Sequence, residues 1–145
     1  TTTTFERYVE ASTVTVDGSG EIQPPLLNQK TLGGGDFEYH PTLGKGQRGI
    51  YDSSGVNTIG LLVTVMGRVL AGGKDYFYVD DGSNARDGSI FVGVRVSCTG
   101  LAKPVSGQYV AATGICTIMR VGDRACRDVR VYRQEDIRRI FCLDS

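Results

Sequence analysis

The chain has no tryptophan, a single histidine and no net charge, with 16 Lys and Arg against 16 Asp and Glu in 145 residues. A protein that grips nucleic acid mainly through its phosphates carries a basic excess, and this one has none. No run approaches the ~20 consecutive apolar residues of a transmembrane helix, so no helical span is expected. His40 stands alone before Pro41 and there is no G-x-S-x-G elbow. Nucleophilic catalysis then lacks a base beside a nucleophile, and no enzyme is expected. Four cysteines are present, Cys98, Cys116, Cys126 and Cys142, without a C-x-x-C pair. Structural zinc needs closely spaced Cys and His, so a metal centre of that kind is not expected. The opening Thr1-Thr2-Thr3-Thr4 has no methionine and no signal-peptide pattern. That is expected of a mature form or an excised fragment, and the threonines would suit O-linked sugar.

What is abundant is glycine, 20 residues, together with seven tyrosines, a composition that suits a β-rich chain with many tight turns. From Ile59 to Tyr132 five β-type runs follow one another, each closed by Gly, Asp or Ser. In the first, Ile59, Leu61, Val63, Val65 and Val69 share one face, and Leu62, Thr64, Met66, Arg68 and Leu70 the other. Gly67 lies where this strand must coil. Tyr76 to Val79 forms the second run, Ile90 to Cys98 the third, Tyr109 to Met119 the fourth and Arg127 to Tyr132 the fifth. Pro104 and the shortness of Thr99 to Ser106 leave room only for a loop between the third and fourth. Gln134 to Ile140 would suit a short terminal helix.

Ahead of these runs the chain reads differently. Residues 5–16 alternate imperfectly and predict a long strand, bent near Glu10 to Ser12. Residues 17–58 have no clear period and contain Pro24-Pro25 and Gly33-Gly34-Gly35. So long an irregular segment is unusual in a compact domain and tends to be functional, partner-wrapping or disordered. Leu26, Leu27, Leu32, Phe37, Tyr39, Leu43, Ile50 and Tyr51 argue against disorder, because they need a surface to cover. Residues 1–58 carry four basic against seven acidic side chains, a net of −3, balanced by +3 in the rest. The expected organisation is an N-terminal strand and arm over 1–58, a barrel over 59–133, and a C-terminal tail or short helix over 134–145.

Four segments, Val63-Thr64-Val65-Met66-Gly67-Arg68-Val69, Tyr76-Phe77-Tyr78-Val79-Asp80-Asp81-Gly82-Ser83, Gly93-Val94-Arg95-Val96 and Gly107-x-x-Val110-x-x-Thr113-Gly114, resemble OB-type domains of secreted bacterial proteins. The upstream Leu27 to Gly35 is similar to a segment that precedes such domains. The resemblance covers about half the chain and implies an all-β fold, a five-stranded Greek-key barrel, here with an N-terminal extension. It implies no catalytic residues. It does imply a ligand face on strands two and three for single-stranded nucleic acid or oligosaccharide, with Tyr76, Tyr78, Phe91 and Arg95 as the candidate residues; ordinary strand surface is the competing reading. The fourth and fifth strands are neighbours in such a barrel, so Cys116 is expected to pair with Cys126, and Cys98 with Cys142 by elimination. Buried free thiols are the alternative. An oxidising, extracellular setting goes with disulfides.

Two polar clusters remain. Asp80, Asp81, Asn84 and Asp87 crowd one turn and would offer oxygen ligands to calcium, but lack the EF-hand pattern; a self-satisfied polar turn is the more ordinary explanation, so no cofactor is expected. The arginine series from Arg120 to Arg139 is interleaved with Asp123, Asp128, Glu135 and Asp136, which favours carboxylate pairing over phosphate binding. The extension is then the strongest functional feature. Its expected role is to add a strand to a neighbour, giving a homo-oligomer or filament of an extracellular structural protein, with Phe5, Tyr8, Val9, Val14 and Val16 as arm contacts.

Overall fold

The computed structural model describes residues 5–141. The thirteen-residue alternating run around Tyr109 is too long for one partner, and it organises the rest. Eight strands form: β1 (Phe37–His40), β2 (Lys45–Gln47), β3 (Leu62–Gly72), β4 (Tyr76–Asp80), β5 (Val94–Ser97), β6 (Tyr109–Val121), β7 (Arg124–Arg130) and β8 (Ile137–Ile140). β1 and β2 make a separate hairpin, and the other six form one sheet in the order β3-β4-β5-β7-β6-β8. One edge of β6 pairs with β3 from Arg68↔Tyr109 to Leu62↔Ile115. Its other edge is shared, by β7 from Ile115 onward and by β8 over Tyr109 to Ala112. The β3–β6 pairing closes β3-β4-β5-β7-β6 into a ring. All its pairings are antiparallel except β5 with β7, which run parallel from Arg95↔Asp128 to Ser97↔Arg130. The protein is therefore all-β, with a largely closed, barrel-like sheet.

Closure puts one parity of every strand inside. Val63, Val65 and Val69 of β3 meet Phe77 and Val79 of β4, Val94 and Val96 of β5, Val110 and Ala112 of β6, and Val129 of β7. Each such valine, once buried, contributes about 1.5–3 kcal/mol over leaving it in water. Gly67 marks the place where β3 exchanges β6 for β4, since Arg68 pairs with both Tyr109 and Asp80. A Cβ there would lie 2.2 Å from the Asp80 carbonyl oxygen, so only glycine allows the two backbones to come so close.

Three expectations are corrected. The third run is cut to Val94–Ser97, because residues 83–93 leave the sheet as a loop whose Gly93 N–H bonds the Ala85 carbonyl. The terminal helix shrinks to one 3-10 turn, Gln134–Asp136. The chain after it becomes β8, because the open half of the β6 edge supplies interstrand partners for its backbone. The long N-terminal strand has no strand partner among the described residues; residues 8–23 are irregular and exposed.

Residues 26–35 and 47–58, by contrast, lie on the barrel, and the β1–β2 hairpin between them stands out, with Phe37 and Leu43 each 62 % exposed. Leu26 forms a parallel bridge with Thr64, and Leu27 N–H bonds the Thr64 carbonyl, filling the part of the β3 edge that β4 does not reach. A tight turn follows in which Leu32 and Gln29 are both fully buried. Gly34 there has φ +67, and a Cβ on it would sit 2.0 Å from the Val56 carbonyl oxygen. Ile50 then plugs one barrel end against Ile118 and Ala125, with Phe5 packed on top.

Candidate functional site

Two regions were expected to carry function, and they have opposite character. In the N-terminal region Phe5 to Arg7 is docked. The Phe5 ring lies between the guanidinium groups of Arg48 and Arg120, 4.5 and 5.2 Å from the ring centre. Gln47 donates its side-chain amide to the Phe5 carbonyl, and Arg7 donates to the Gly44 and Gly46 carbonyls. Glu6 between them is partly buried, and that burial raises its pKa against the lowering effect of Arg130. From Tyr8 the chain is exposed; it comes back beside the barrel at residues 20–24 and first bonds to it where the Pro25 carbonyl accepts from Thr64 N–H. Tyr8, Val9, Val14, Val16 and Ile22 are 72, 91, 80, 84 and 74 % exposed. Of the five expected arm contacts, then, Phe5 belongs to its own barrel end and the other four face solvent. Val14 and Val16 alternate with Thr13 and Thr15 and so fall on one side of an extended chain.

The face of β4 and β5 is closed on itself. Tyr76, Tyr78 and Phe91 do cluster: Tyr78 stacks on Phe91 with centroids 4.7 Å apart and meets the Tyr76 edge at 6.1 Å. Yet Tyr78 is only 2 % exposed, and its hydroxyl donates to Asp87 Oδ2 at 2.5 Å. Burial is the main reason its phenol ionises far above the usual range, with the bond to Asp87 adding to it. The Arg95 guanidinium covers the Tyr76 ring at 4.3 Å and donates to Asp128 Oδ1 at 3.1 Å. Asp128, itself buried, also accepts from Ser97 and Thr117. Stacking and charge, the two things a base or sugar would use, are thus spent within the protein.

The acidic turn does not gather into a cage. Asp80 accepts from Gly82 N–H, Asp81 from Ser83 and Gln29 N–H, and Asp87 from Ser89 N–H and Tyr78. Asn84 holds Arg86. Among the described residues no group of three His, Cys, Asp or Glu converges as metal ligands would. Among them, too, no helix is long and apolar enough to cross a membrane.

The expected Cys116–Cys126 bridge is absent; both are free thiols, as is Cys98. The register explains it. Cys116 stands opposite Val129 and Cys126 opposite Met119, so the two cysteines are three rungs apart, roughly 10 Å, and on opposite faces. A disulfide needs Cα atoms within about 7 Å. Burial raises the Cys116 and Cys126 thiols to about 11 and so keeps them protonated. Cys142, and with it the expected Cys98 pairing, lies outside the described residues, as do Thr1 to Thr4.

One member of the arginine series departs from the expected carboxylate pairing. Arg127 is 1 % exposed. It donates to the carbonyls of Lys30 at 3.1 Å, of Asp52, and of Arg86 at 3.5 Å, while its Nε–H has no partner. Desolvation lowers its pKa. Three separate loops are thereby tied to β7. The signal was in the alternation: Arg127 shares parity with the inward Val129 and Val131.

The site is thus defined as an exposed apolar segment held at both ends on a barrel-like all-β body. Compared with family models, with curated proteins and with solved structures, the chain finds no match.

Proposed function

We propose that this chain is a structural subunit that self-associates, donating its exposed N-terminal segment to a sheet edge of a neighbouring copy. One observation carries the reading. Five large apolar side chains, each more than 70 % exposed, sit on a stretch that makes no hydrogen bond to any other described residue. Exposed on their own chain, these side chains gain from burial only when a partner covers them. Strand addition would satisfy both its backbone and its valines. Because donor and acceptor are different surfaces, repetition yields an open, filament-like assembly. An extracellular setting is part of the proposal and draws no support from the three buried thiols.

The body on which the segment hangs is, in this reading, an OB-type barrel. The ring order β3-β4-β5-β7-β6 and the single parallel pair between β5 and β7 support it. The alternative use of such a barrel, a single-stranded nucleic acid or oligosaccharide laid across Tyr76, Tyr78, Phe91 and Arg95, has less support, since Tyr78 is buried and Arg95 is engaged by Asp128.

Sedimentation velocity over a concentration series, with negative-stain microscopy of the same samples, tests this. The intact chain is expected to assemble. The chain lacking residues 1–16 is expected to stay monomeric with an unaltered far-ultraviolet spectrum. Assembly by the truncated chain, or an intact chain that remains monomeric throughout, overturns the proposal.

A further inference from the structure

We infer that the acceptor for the donated segment is the outer edge of β8 in a second copy of this chain. The inference rests on the proposed self-association and adds the surface it uses.

β8 is the last strand of the six-stranded sheet, paired only with β6. Among the described residues no other strand lies on its outer side, so its outward backbone groups form an open template. On β3 the stretch of edge that β4 leaves is filled by Pro25 to Leu27, while the separate β1–β2 hairpin keeps short edges of its own, four and three residues long. The β7 edge beyond β5 is likewise capped, because Tyr51 N–H bonds the Ala125 carbonyl.

The side chains of β8 suit the segment. Ile140 stands opposite Tyr109, and Tyr109 opposite Arg68, so these three form one row on the outer face. Tyr109 is 50 % exposed and Phe141, just past the strand, 72 %. A shallow groove of about 470 Å³ runs from Ile140 past Tyr109 to Met66. An incoming strand pairing with β8 would set Val14 and Val16, two residues apart, beside Ile140 on that face.

Charge selects the same pair. The segment Tyr8 to Gln23 carries Glu10, Asp17 and Glu21 and no basic residue. β8 presents Arg138 on the outer face and Arg139 on the other, the latter over the Phe141 ring at 5.0 Å. Both are exposed and without a carboxylate partner among the described ion pairs, while Asp80 and Asp81 line the far part of the groove. An acidic strand against a basic edge aligns the register and raises the encounter rate. Residues 20–24 and Arg138 also line one cavity, so the segment leaves its own barrel close to its own β8. The same contact could close within one chain, and the test must separate the two.

Three variants do so. Tyr8→Ser, Val9→Ser, Val14→Ser and Val16→Ser together silence the donor. Arg138→Glu with Arg139→Glu silences the edge. The third adds Glu10→Lys, Asp17→Lys and Glu21→Lys to the silenced edge. Each is checked for an unchanged circular-dichroism spectrum and studied by sedimentation velocity. The silenced edge is expected to weaken association by about a hundredfold, because like charges meet, and the triple lysine chain to recover it. An equal mixture of silenced-donor and silenced-edge chains is expected to give dimers and nothing larger, since each pair holds one working donor and one working edge. A silenced edge that assembles like the wild type, while the silenced donor does not, overturns this inference and leaves self-association standing. A mixture that stays monomeric also overturns it, since a free donor and a free edge then meet without associating; closure within one chain would show instead as a wild type that stays monomeric while the mixture dimerises. A silenced donor that assembles normally removes the underlying reading as well.

Discussion

Residues 8–23 and residues 26–58 read as parts of one arm, yet the first projects into solvent and the second, outside its exposed β1–β2 hairpin, is built into the barrel. The exposed stretch is the richer in valine and the more strand-like, so hydrophobicity did not decide which part docks. What differs is the means of close approach. In the second stretch Ser53 Oγ donates to the Lys30 and Leu32 carbonyls and accepts from Gly34 N–H, Thr58 Oγ1 accepts from Gly33 N–H, and Asn57 donates to the Gly35 carbonyl. Gln29 exchanges two hydrogen bonds with Asp81, backbone to side chain in each direction. A segment can be buried only when its backbone groups are satisfied on the way in. Short polar side chains and glycine allow that; Thr13-Val14-Thr15-Val16 in isolation does not.

The sharpest way to break the contrast is to remove the anchor. Arg127→Met should leave the Lys30, Asp52 and Arg86 carbonyls without their donor and reduce stability by about 3 kcal/mol, read as a lower urea midpoint. Leu32→Ala comes next, since this side chain is fully buried in the main core although it belongs to the supposed arm. Loss of its methyl groups and the cavity left behind should cost about 2–3 kcal/mol, whereas a stability change within about 0.5 kcal/mol would mean that the turn is merely draped on the surface. The smallest effect concerns Glu6. Its folded pKa is raised, so its contribution to docking of the Phe5 segment is fully present below the ordinary carboxylate range and is lost as pH rises through the folded value. The Phe5 ring resonances should move toward free-chain positions as pH rises through that interval, and Glu6→Gln should abolish the movement.

How far the sequence carried the reading follows the same division. The strands of the ring were legible because their alternation is nearly unbroken: Val63, Val65 and Val69 point inward as their parity requires. β8 was hidden because Gln134-Glu135-Asp136 resembles a helix start, and only the vacant half of β6 makes Ile137 to Ile140 a strand. The disulfide expectation failed on register, which depends on the turn at Val121 to Arg124 and cannot be had from cysteine spacing alone. Tyr78 and Arg95 were placed on the right strands, but nothing local announces that Asp87 and Asp128, nine and 33 residues distant, would occupy them. Gln29 was missed, and Arg127 was expected to meet carboxylates, because burial of a polar side chain depends on partners far away in the chain.

The three carbonyls held by Arg127 lie 97, 75 and 41 residues from it. Contacts of that separation close the largest loops and are expected to form after the β3–β4 and β6–β7 hairpins. They therefore act as a late latch. They do little to hasten folding and much to slow its reversal, so the barrel, once shut over that guanidinium, should owe its persistence to a low unfolding rate.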